Sequence, residues 1–323
     1  MDTTYLKRYK VCIILLNYFN NEVTLDCVRS VLGSDLEELP FIVVVDNSNK
    51  SSALEEDLNF YPDIKYLFPG KNLGFARGVN HGIGWAGENL GFEYLFILNN
   101  DTILANDTIG KLITAAKKNP SVTIFTPCVI TEEPEPRIWN AGGRMNYFRM
   151  TPLINNIGKF HIETLLKDGI TYFASGCAMF IVASQFNLKE GLFDPFFFMY
   201  DEDVELSMRI HKTGGSIYFV SDSLVIHKCQ GSQQKETGKK INQLAPGNLN
   251  LNFYLGNTIK NRFYIIDKYF NGIRRFTLIF TLTVYWLLKC LQFFLNFNFK
   301  AARMGLKELS AAMTGGFPGT VNG

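Results

Sequence analysis

The stretch Val11-Cys-Ile-Ile-Leu-Leu-Asn17 decides the fold, because it is a continuous apolar run that ends in a polar residue. Two more runs of this kind follow, at 41–45 before Asp46 and at 94–98 before Asn99. Short apolar runs are typical of strands buried on both faces of a parallel sheet. We therefore predict three buried parallel strands.

Segments with a helical pattern separate and follow these runs, at 22–32, 52–58, 75–86 and 106–118. In the last of these segments, Asn106 is the predicted N-cap and Pro120 is the stop signal. The resulting order of strands and helices predicts a doubly wound α/β fold.

Polar residues end all three predicted strands, at Asn17, Asp46 and 99–101. Ligands of open α/β sheets bind at the edge formed by the carboxyl ends of the strands. A single Asn or Asp at such a position is explained by its preference for turns. Three coincident endings favour a binding site.

A glycine-rich segment at 70–91 holds seven glycines in 22 residues but lacks the GxGxxG dinucleotide fingerprint. Three of its glycines are spaced by four residues and would share one face of a helix: Gly74, Gly78 and Gly82. The segment is either a turn beside a ligand or a helix packed closely on the sheet. The sequence leaves both interpretations open.

Four carboxylates crowd the start of a predicted helix, directly after the apolar run 196–200: Asp201, Glu202, Asp203 and Glu205. One or two acids there would complement the helix dipole. A carboxylate beside apolar walls and another carboxylate has a raised pKa, which suits a general base.

His227 ends a β-like segment at 223–227. A lone histidine is more often structural than a metal ligand. If Asp101 lies beside it, the pair could hold Mg²⁺ or Mn²⁺ against a diphosphate.

The net charge of +2 hides an asymmetry between the two parts of the chain. Residues 1–234 carry 20 Lys and Arg against 27 Asp and Glu, whereas residues 235–323 carry 12 against 3. This asymmetry indicates an acidic body, for which we predict one domain over 1–235 with halves at about 1–125 and 126–235, and a basic apolar tail over 236–323.

The tail contains an apolar stretch at 276–299 whose one charged residue is Lys289. Most of its polar residues share one stripe of a helix, which predicts a helix lying in a membrane interface. Packing on the preceding domain and a true membrane span are the alternatives. Basic residues precede the stretch and suit anionic lipid headgroups rather than nucleic acid: Lys260, Arg262, Lys268, Arg274 and Arg275.

The six cysteines form no CxxC pair, and the N-terminal residues do not resemble a signal peptide. We therefore expect a cytoplasmic protein, bound peripherally to the cytoplasmic face of the cell membrane.

Five segments, in this order, resemble glycosyltransferase family 2 and within it the rhamnosyltransferase-like branch: Ile13-Ile-Leu-Leu-Asn-Tyr18, Val43-Val-Val-Asp-Asn-Ser48, Asn72-Leu-Gly-Phe-Ala-Arg-Gly-Val-Asn80, Leu98-Asn-Asn-Asp-Thr102 and Phe197-Phe-Met-Tyr-Asp-Glu-Asp-Val-Glu-Leu206. Each motif alone is weak, but their order and spacing are specific. The resemblance covers about residues 10–235 and implies a GT-A fold, which is Rossmann-like with a mostly parallel sheet.

The resemblance also implies residue roles. Residues implied to contact the nucleotide sugar are Asn17, Asp46, Asn72, Gly74, Asn80, Asn99 and Asn100. Asp101 would be the main ligand of Mg²⁺ or Mn²⁺, and His227 would complete the metal site. Asp203 would be the general base, with Glu202 beside it orienting the acceptor.

The implied function is inverting transfer of a sugar, with rhamnose among the candidates, from a dTDP- or UDP-sugar to a lipid-linked or polysaccharide acceptor in cell-surface glycan synthesis. The alternative is a nucleotide-sugar-binding scaffold protein without turnover.

Overall fold

The computed structural model describes residues 7–50, 53–161, 165–228, 244 and 250–314. Within them, one compact unit comprises 7–144, 154–198 and 202–228, and a second comprises 145–153, 199–201, 244 and 250–314. The predicted domain boundary near residue 235 lies outside the described residues and stays a prediction.

The first unit is built on one mixed sheet. Its strands are β1 (Lys7–Asn17), β2 (Phe41–Asp46), β3 (Ile64–Leu67), β4 (Leu90–Asn99), β5 (Thr102–Leu104), β6 (Ile124–Thr131), β7 (Ile138–Asn140), β10 (Gly169–Thr171), β11 (Ala178–Val182) and β12 (Ile217–His227). Strands β8 (Gly143–Asn146) and β9 (Thr151–Ile154) form a separate hairpin. The helices of the first unit are α1 (Asn21–Leu32), α2 (Leu54–Leu58), α3 (Phe75–Asn89), α4 (Thr108–Lys118) and α5 (Glu202–Lys212).

The strand order is β10-β12-β6-β11-β4-β1-β2-β3, with β5 paired to β12 and β7 paired to β6. Strands β4, β1, β2 and β3 run parallel, as do β6 and β12. Strand β11 is antiparallel to both of its neighbours and joins the two parallel groups. The three predicted strands are therefore the adjacent strands β4, β1 and β2.

The middle of β1 is buried on both faces, as its unbroken apolar sequence predicts. Ile13 and Leu15 belong to the core cluster that also holds Leu25 of α1 and Leu112 of α4. Ile14 points to the other face, toward α3. Helix α4 begins at Thr108 with Asp107 as its N-cap, so the prediction of Asn106 as N-cap is wrong by one residue.

Close packing of α3 on the sheet accounts for two of its glycines. A Cβ atom at Gly78 would lie 2.6 Å from Leu16 Cδ1, and one at Gly82 would lie 2.9 Å from methyl carbons of Ile14 and Val45. Real Cβ atoms do not approach so closely, so a larger residue at either position would force these side chains to shift. For Gly78 and Gly82, the packing interpretation is therefore confirmed.

The second unit contains the helices α6 (Leu251–Tyr269), α7 (Gly272–Leu295) and α8 (Phe299–Thr314). The tip of the β8–β9 hairpin and the segment 199–201 also belong to it. Among the described residues, α7 is the one helix long and apolar enough to cross a membrane by length and composition.

Candidate active site

Buried polar side chains link the carboxyl ends of β1 and β2, which pair in parallel with Asn17 opposite Asp46. Asn17 donates to the Asp46 carboxylate at 3.0 Å and accepts a hydrogen bond from Thr24 at 2.8 Å. The Asn100 amide, beyond the end of β4, donates to Thr24 at 2.8 Å. Polar residues at the ends of the three predicted strands therefore belong to one hydrogen-bond network, and the binding site predicted there stays a prediction. Asn17 and Asp46 are fully buried, so their contacts with a nucleotide stay a prediction.

Asn47 organises the loop that leads into α3. Its amide donates to Asn72 Oδ1 at 3.1 Å and to the Gly74 carbonyl at 2.9 Å, and its carbonyl oxygen accepts from the Leu73 N–H. Asn47 is not among the predicted site residues, although it directly follows Asp46 in the sequence. Asn72 and Gly74 are thereby fixed beside the end of β2.

Gly74 also lies against the chain that leads to α5. Its φ of +78° is in the left-handed region, and a Cβ atom there would clash with the Phe198 carbonyl oxygen. The neighbouring N–H of Phe75 donates to that same oxygen at 2.7 Å. Gly74 is therefore required for this close approach of two loops.

Asn80 and Arg77 of α3 hold the segment before Phe198. Asn80 accepts from the N–H groups of Leu192 and Phe193 and donates to the Phe193 carbonyl. Arg77 Nε donates to the Pro195 carbonyl at 2.7 Å. Since the Asn80 amide makes these loop contacts, its predicted contact with a nucleotide stays a prediction.

Asp101 and His227 lie together, with His227 Nε2 at 3.1 Å from Asp101 Oδ1. Strand pairing positions them: β5 is antiparallel to β12 with Thr102 opposite His227, and the Lys228 N–H donates to the Asp101 carbonyl. Trp139 packs edge-on against the imidazole, with 4.6 Å between ring centroids. This proximity is the condition that the sequence analysis set for a metal site.

A carboxylate oxygen and an imidazole nitrogen suit Mn²⁺ or Mg²⁺. In the described parts of the chain, no group of three or more His, Cys, Asp and Glu side chains could hold a metal. A cation at this pair would need further ligands beyond these two side chains.

Burial distinguishes the four acids at the start of α5. Asp201, Glu202 and Glu205 are 7%, 6% and 0% exposed, whereas Asp203 is only partly buried. Glu205 forms an ion pair with Arg209 at 3.3 Å. Of the four residues, Asp203 is therefore the most exposed, and its role as the base stays a prediction. The role of Glu202 in orienting an acceptor stays a prediction.

Backbone hydrogen bonds connect Asp203 to the edge of the sheet. The Gly176 N–H donates to Asp203 Oδ2 at 3.1 Å, and the carbonyl of the next residue, Cys177, accepts from the Asn99 N–H at 2.8 Å. Asn99 is the last residue of β4, two residues before Asp101. These contacts link the predicted base, through Gly176 and Cys177, to the end of β4, two residues before Asp101.

Two buried cysteines of the first unit, Cys27 and Cys128, are not activated. Burial raises the pKa of Cys27 to about 12, and it raises that of Cys128 to about 12 as well. Both side chains are therefore neutral thiols near pH 7.

The family model described as "Glycosyl transferase family 2" matches residues 11–185. A low-salt glycan biosynthesis hexosyltransferase, Agl10 of Haloferax volcanii, is 29% identical over 62% of this chain and 61% of its own length. An N-acetylglucosaminyl-diphospho-decaprenol L-rhamnosyltransferase of Mycobacterium tuberculosis is 24% identical over 59% of this chain and 67% of its own length. Rhamnosyltransferase WbbL of Escherichia coli is 25% identical over 62% of this chain and 78% of its own length.

Two solved structures are similar in fold. GalNAc-T7 with UDP, GalNAc and Mn²⁺ gives a TM-score of 0.59 at 18% identity, covering 80% of this chain and 48% of that one. The mannosyltransferase PcManGT of Pyrobaculum calidifontis, in complex with GDP-Man and Mn²⁺, gives a TM-score of 0.54 at 13% identity. The match covers 96% of this chain and 77% of that one. Both are GT-A glycosyltransferases, so the predicted GT-A fold is confirmed. The chain spans about three-fifths of the Haloferax relative and about half of GalNAc-T7.

Proposed function

Because the chain belongs to glycosyltransferase family 2, we propose that it transfers a sugar from a nucleoside diphosphate donor to an acceptor hydroxyl, with inversion at the anomeric carbon. One observation carries the proposal: Asp203, the most exposed of the four acids at the start of α5, is linked by backbone contacts to the end of β4, two residues before Asp101, which pairs with His227.

Asp203 acts on the attacking acceptor hydroxyl, and the Asp101–His227 pair acts on the leaving diphosphate. Asp203 takes the proton from the acceptor hydroxyl as its oxygen attacks the anomeric carbon, and the bond from that carbon to the diphosphate breaks. A divalent cation, when bound, neutralises the negative charge of the departing diphosphate. Asp101 and His227 are the residues that would hold it. A single base and no covalent enzyme intermediate give inversion.

The proposed donor is a dTDP- or UDP-sugar, with rhamnose or another hexose as the transferred group. The names of the Mycobacterium and Escherichia relatives state rhamnosyl transfer, and the first of them names a diphospho-decaprenol acceptor. We propose a lipid-linked or glycan acceptor on this ground, at the cytoplasmic face of the membrane.

The exposed face of α7 supports membrane binding. It presents a band of large apolar side chains: Ile273, Phe276, Phe280, Leu287, Leu288, Leu291, Phe294 and Leu295. At about 100° per residue, these occupy an arc of about 120°. Of the predicted polar stripe, Thr277 and Gln292 are exposed, whereas Tyr285 is only 8% exposed. An apolar band this large, with Arg274 and Arg275 at its start, suits an anionic membrane surface.

We expect the full-length triple variant Phe276→Ser/Phe280→Ser/Leu291→Ser to bind membranes at least about a hundredfold more weakly, since fully burying one such side chain contributes about 1.5–3 kcal/mol. Flotation with phosphatidylglycerol–phosphatidylcholine vesicles measures the bound fraction. The matched control is Phe60→Ser/Leu165→Ser/Ile170→Ser, which removes three large exposed side chains from the first unit. Equal recovery of the two variants would count against the α7 surface.

Donor binding and turnover test the function itself. We expect a dTDP- or UDP-sugar, with Mn²⁺, to raise the midpoint of thermal unfolding, because a ligand at a hundred times its Kd stabilises by about 2.7 kcal/mol. The stabilising donor is then incubated with polyprenyl-diphosphate sugars, and transfer is measured. A donor that binds but is neither transferred nor hydrolysed would favour the scaffold alternative.

A further inference from the structure

Two successive residues directly before α5 hold a backbone conformation that needs support. Tyr200 and Asp201 have φ values of +68° and +61°, in the left-handed region that side chains disfavour. Such residues persist where their surroundings fix them, and they occur at functional sites. Asp201 is two residues before Asp203, so the conformation of this turn sets the direction in which α5 begins.

Asn261 of α6 binds the backbone of this turn. Its amide Nδ2 donates to the Met199 carbonyl at 3.0 Å and to the Tyr200 carbonyl at 2.8 Å. The residue is fully buried, at 0% exposed. These two bonds fix adjacent carbonyl groups at the start of the left-handed pair.

Arg262, the next residue of α6, binds the side chain of the turn. Its Nε lies 3.3 Å from Asp201 Oδ1, and both side chains are 6% exposed. Its other nitrogens donate to the Arg149 carbonyl at 3.1 Å and to the Tyr254 hydroxyl at 3.2 Å. Burial raises the pKa of Asp201, and the Arg262 charge opposes that shift. The guanidinium therefore favours the ionised form of the Asp201 carboxylate.

A buried ion pair is weak evidence for stability, because desolvation offsets most of the attraction. An apolar pair of similar volume would fill the same space. The Asp201–Arg262 pair instead fixes one backbone conformation of the turn that precedes the proposed base.

We infer that Asn261 and Arg262 of α6 are positioning residues: they hold Tyr200 and Asp201 so that α5 begins in the direction that presents Asp203 to the acceptor. The inference rests on the proposed function for the role of Asp203. It assigns to α6 a part in turnover, separate from membrane binding by α7.

The full-length variant Arg262→Met tests the inference. We expect kcat to fall about a hundredfold, as for a misplaced catalytic group, with the Kd for UDP or dTDP plus Mn²⁺ unchanged. Arg262→Lys, which keeps the charge, should restore part of kcat. The control Ile265→Val alters another fully buried residue of α6 without touching the turn and should keep kcat.

Asp201→Asn/Arg262→Met separates positioning from stability. Removing both partners leaves no unpaired buried charge, so we expect its thermal midpoint to exceed that of Arg262→Met while kcat stays low. Recovery of kcat together with stability, or wild-type kcat in Arg262→Met, would overturn the inference.

Hydrogen exchange provides a readout that does not depend on turnover. Amides in the first turn of α5 should exchange faster in Arg262→Met than in Ile265→Val, and equal exchange would contradict the inference. If these amides exchange faster in Arg262→Met but the wild-type protein binds no donor, the positioning role of Arg262 is supported and the proposed function is rejected.

Discussion

Asp203→Asn is expected to lower kcat by about 10²–10⁴-fold, the contribution of a positioned general base. The amide has nearly the same shape as the carboxylate, and its oxygen can still accept the Gly176 N–H that Asp203 accepts at 3.1 Å. The variant therefore loses the ability to take a proton without losing the contact that places the side chain. Binding of the nucleoside diphosphate should be unchanged, because Asp203 acts on the acceptor.

Isothermal titration with UDP or dTDP plus Mn²⁺, beside a transfer assay, separates binding from turnover. Asp222→Asn is the matched control, since it makes the same chemical change at a side chain that is 64% exposed on β12. It should keep full activity. Full activity in Asp203→Asn would reject the assignment of the base and, with it, the mechanism proposed for this site.

The sequence could predict β1, β2 and β4 because strands buried on both faces are continuously apolar. Strand β6 was missed, since it contains Pro127, which cannot donate a hydrogen bond within a sheet. Pro127 pairs with Val220, where the register of β12 shifts between Val220 and Leu224. The irregularity of one strand accommodates the proline of the other, and no local pattern encodes that match.

The candidate site was predicted in part for a similar reason. Parallel strands bring their carboxyl ends to one edge, so Asn17, Asp46 and Asn100 could be grouped from sequence alone. Choosing among the four acids of α5 required knowing which are buried. Asp201 is buried against Arg262, a residue 61 positions away in α6. Contacts of such long range have no signature in the sequence near either partner.

Asp101→Asn and His227→Gln are each expected to weaken Mn²⁺ binding in the presence of UDP or dTDP and to lower transfer by about a hundredfold or more, since a cation at the leaving group supplies several kcal/mol. Asp101 and His227 are the two side chains proposed to hold the cation, so each substitution removes one of two proposed protein ligands. The Asp101 carboxylate lies 3.1 Å from His227 Nε2, and Asn has nearly the same shape, so Asp101→Asn removes the charge with little change in shape.

Electron paramagnetic resonance of Mn²⁺ measures cation binding without turnover, and it is the decisive readout. Asp107→Asn and His161→Gln are the matched controls, being the same chemical changes outside the Asp101–His227 pair. A cation held jointly by protein and diphosphate should bind weakly to the protein alone and more tightly once nucleotide is present, because the diphosphate completes the ligand set. Wild-type Mn²⁺ affinity in both variants would place the cation elsewhere. Loss of Mn²⁺ affinity in Asp101→Asn alone would make His227 a partner that orients the carboxylate rather than a ligand.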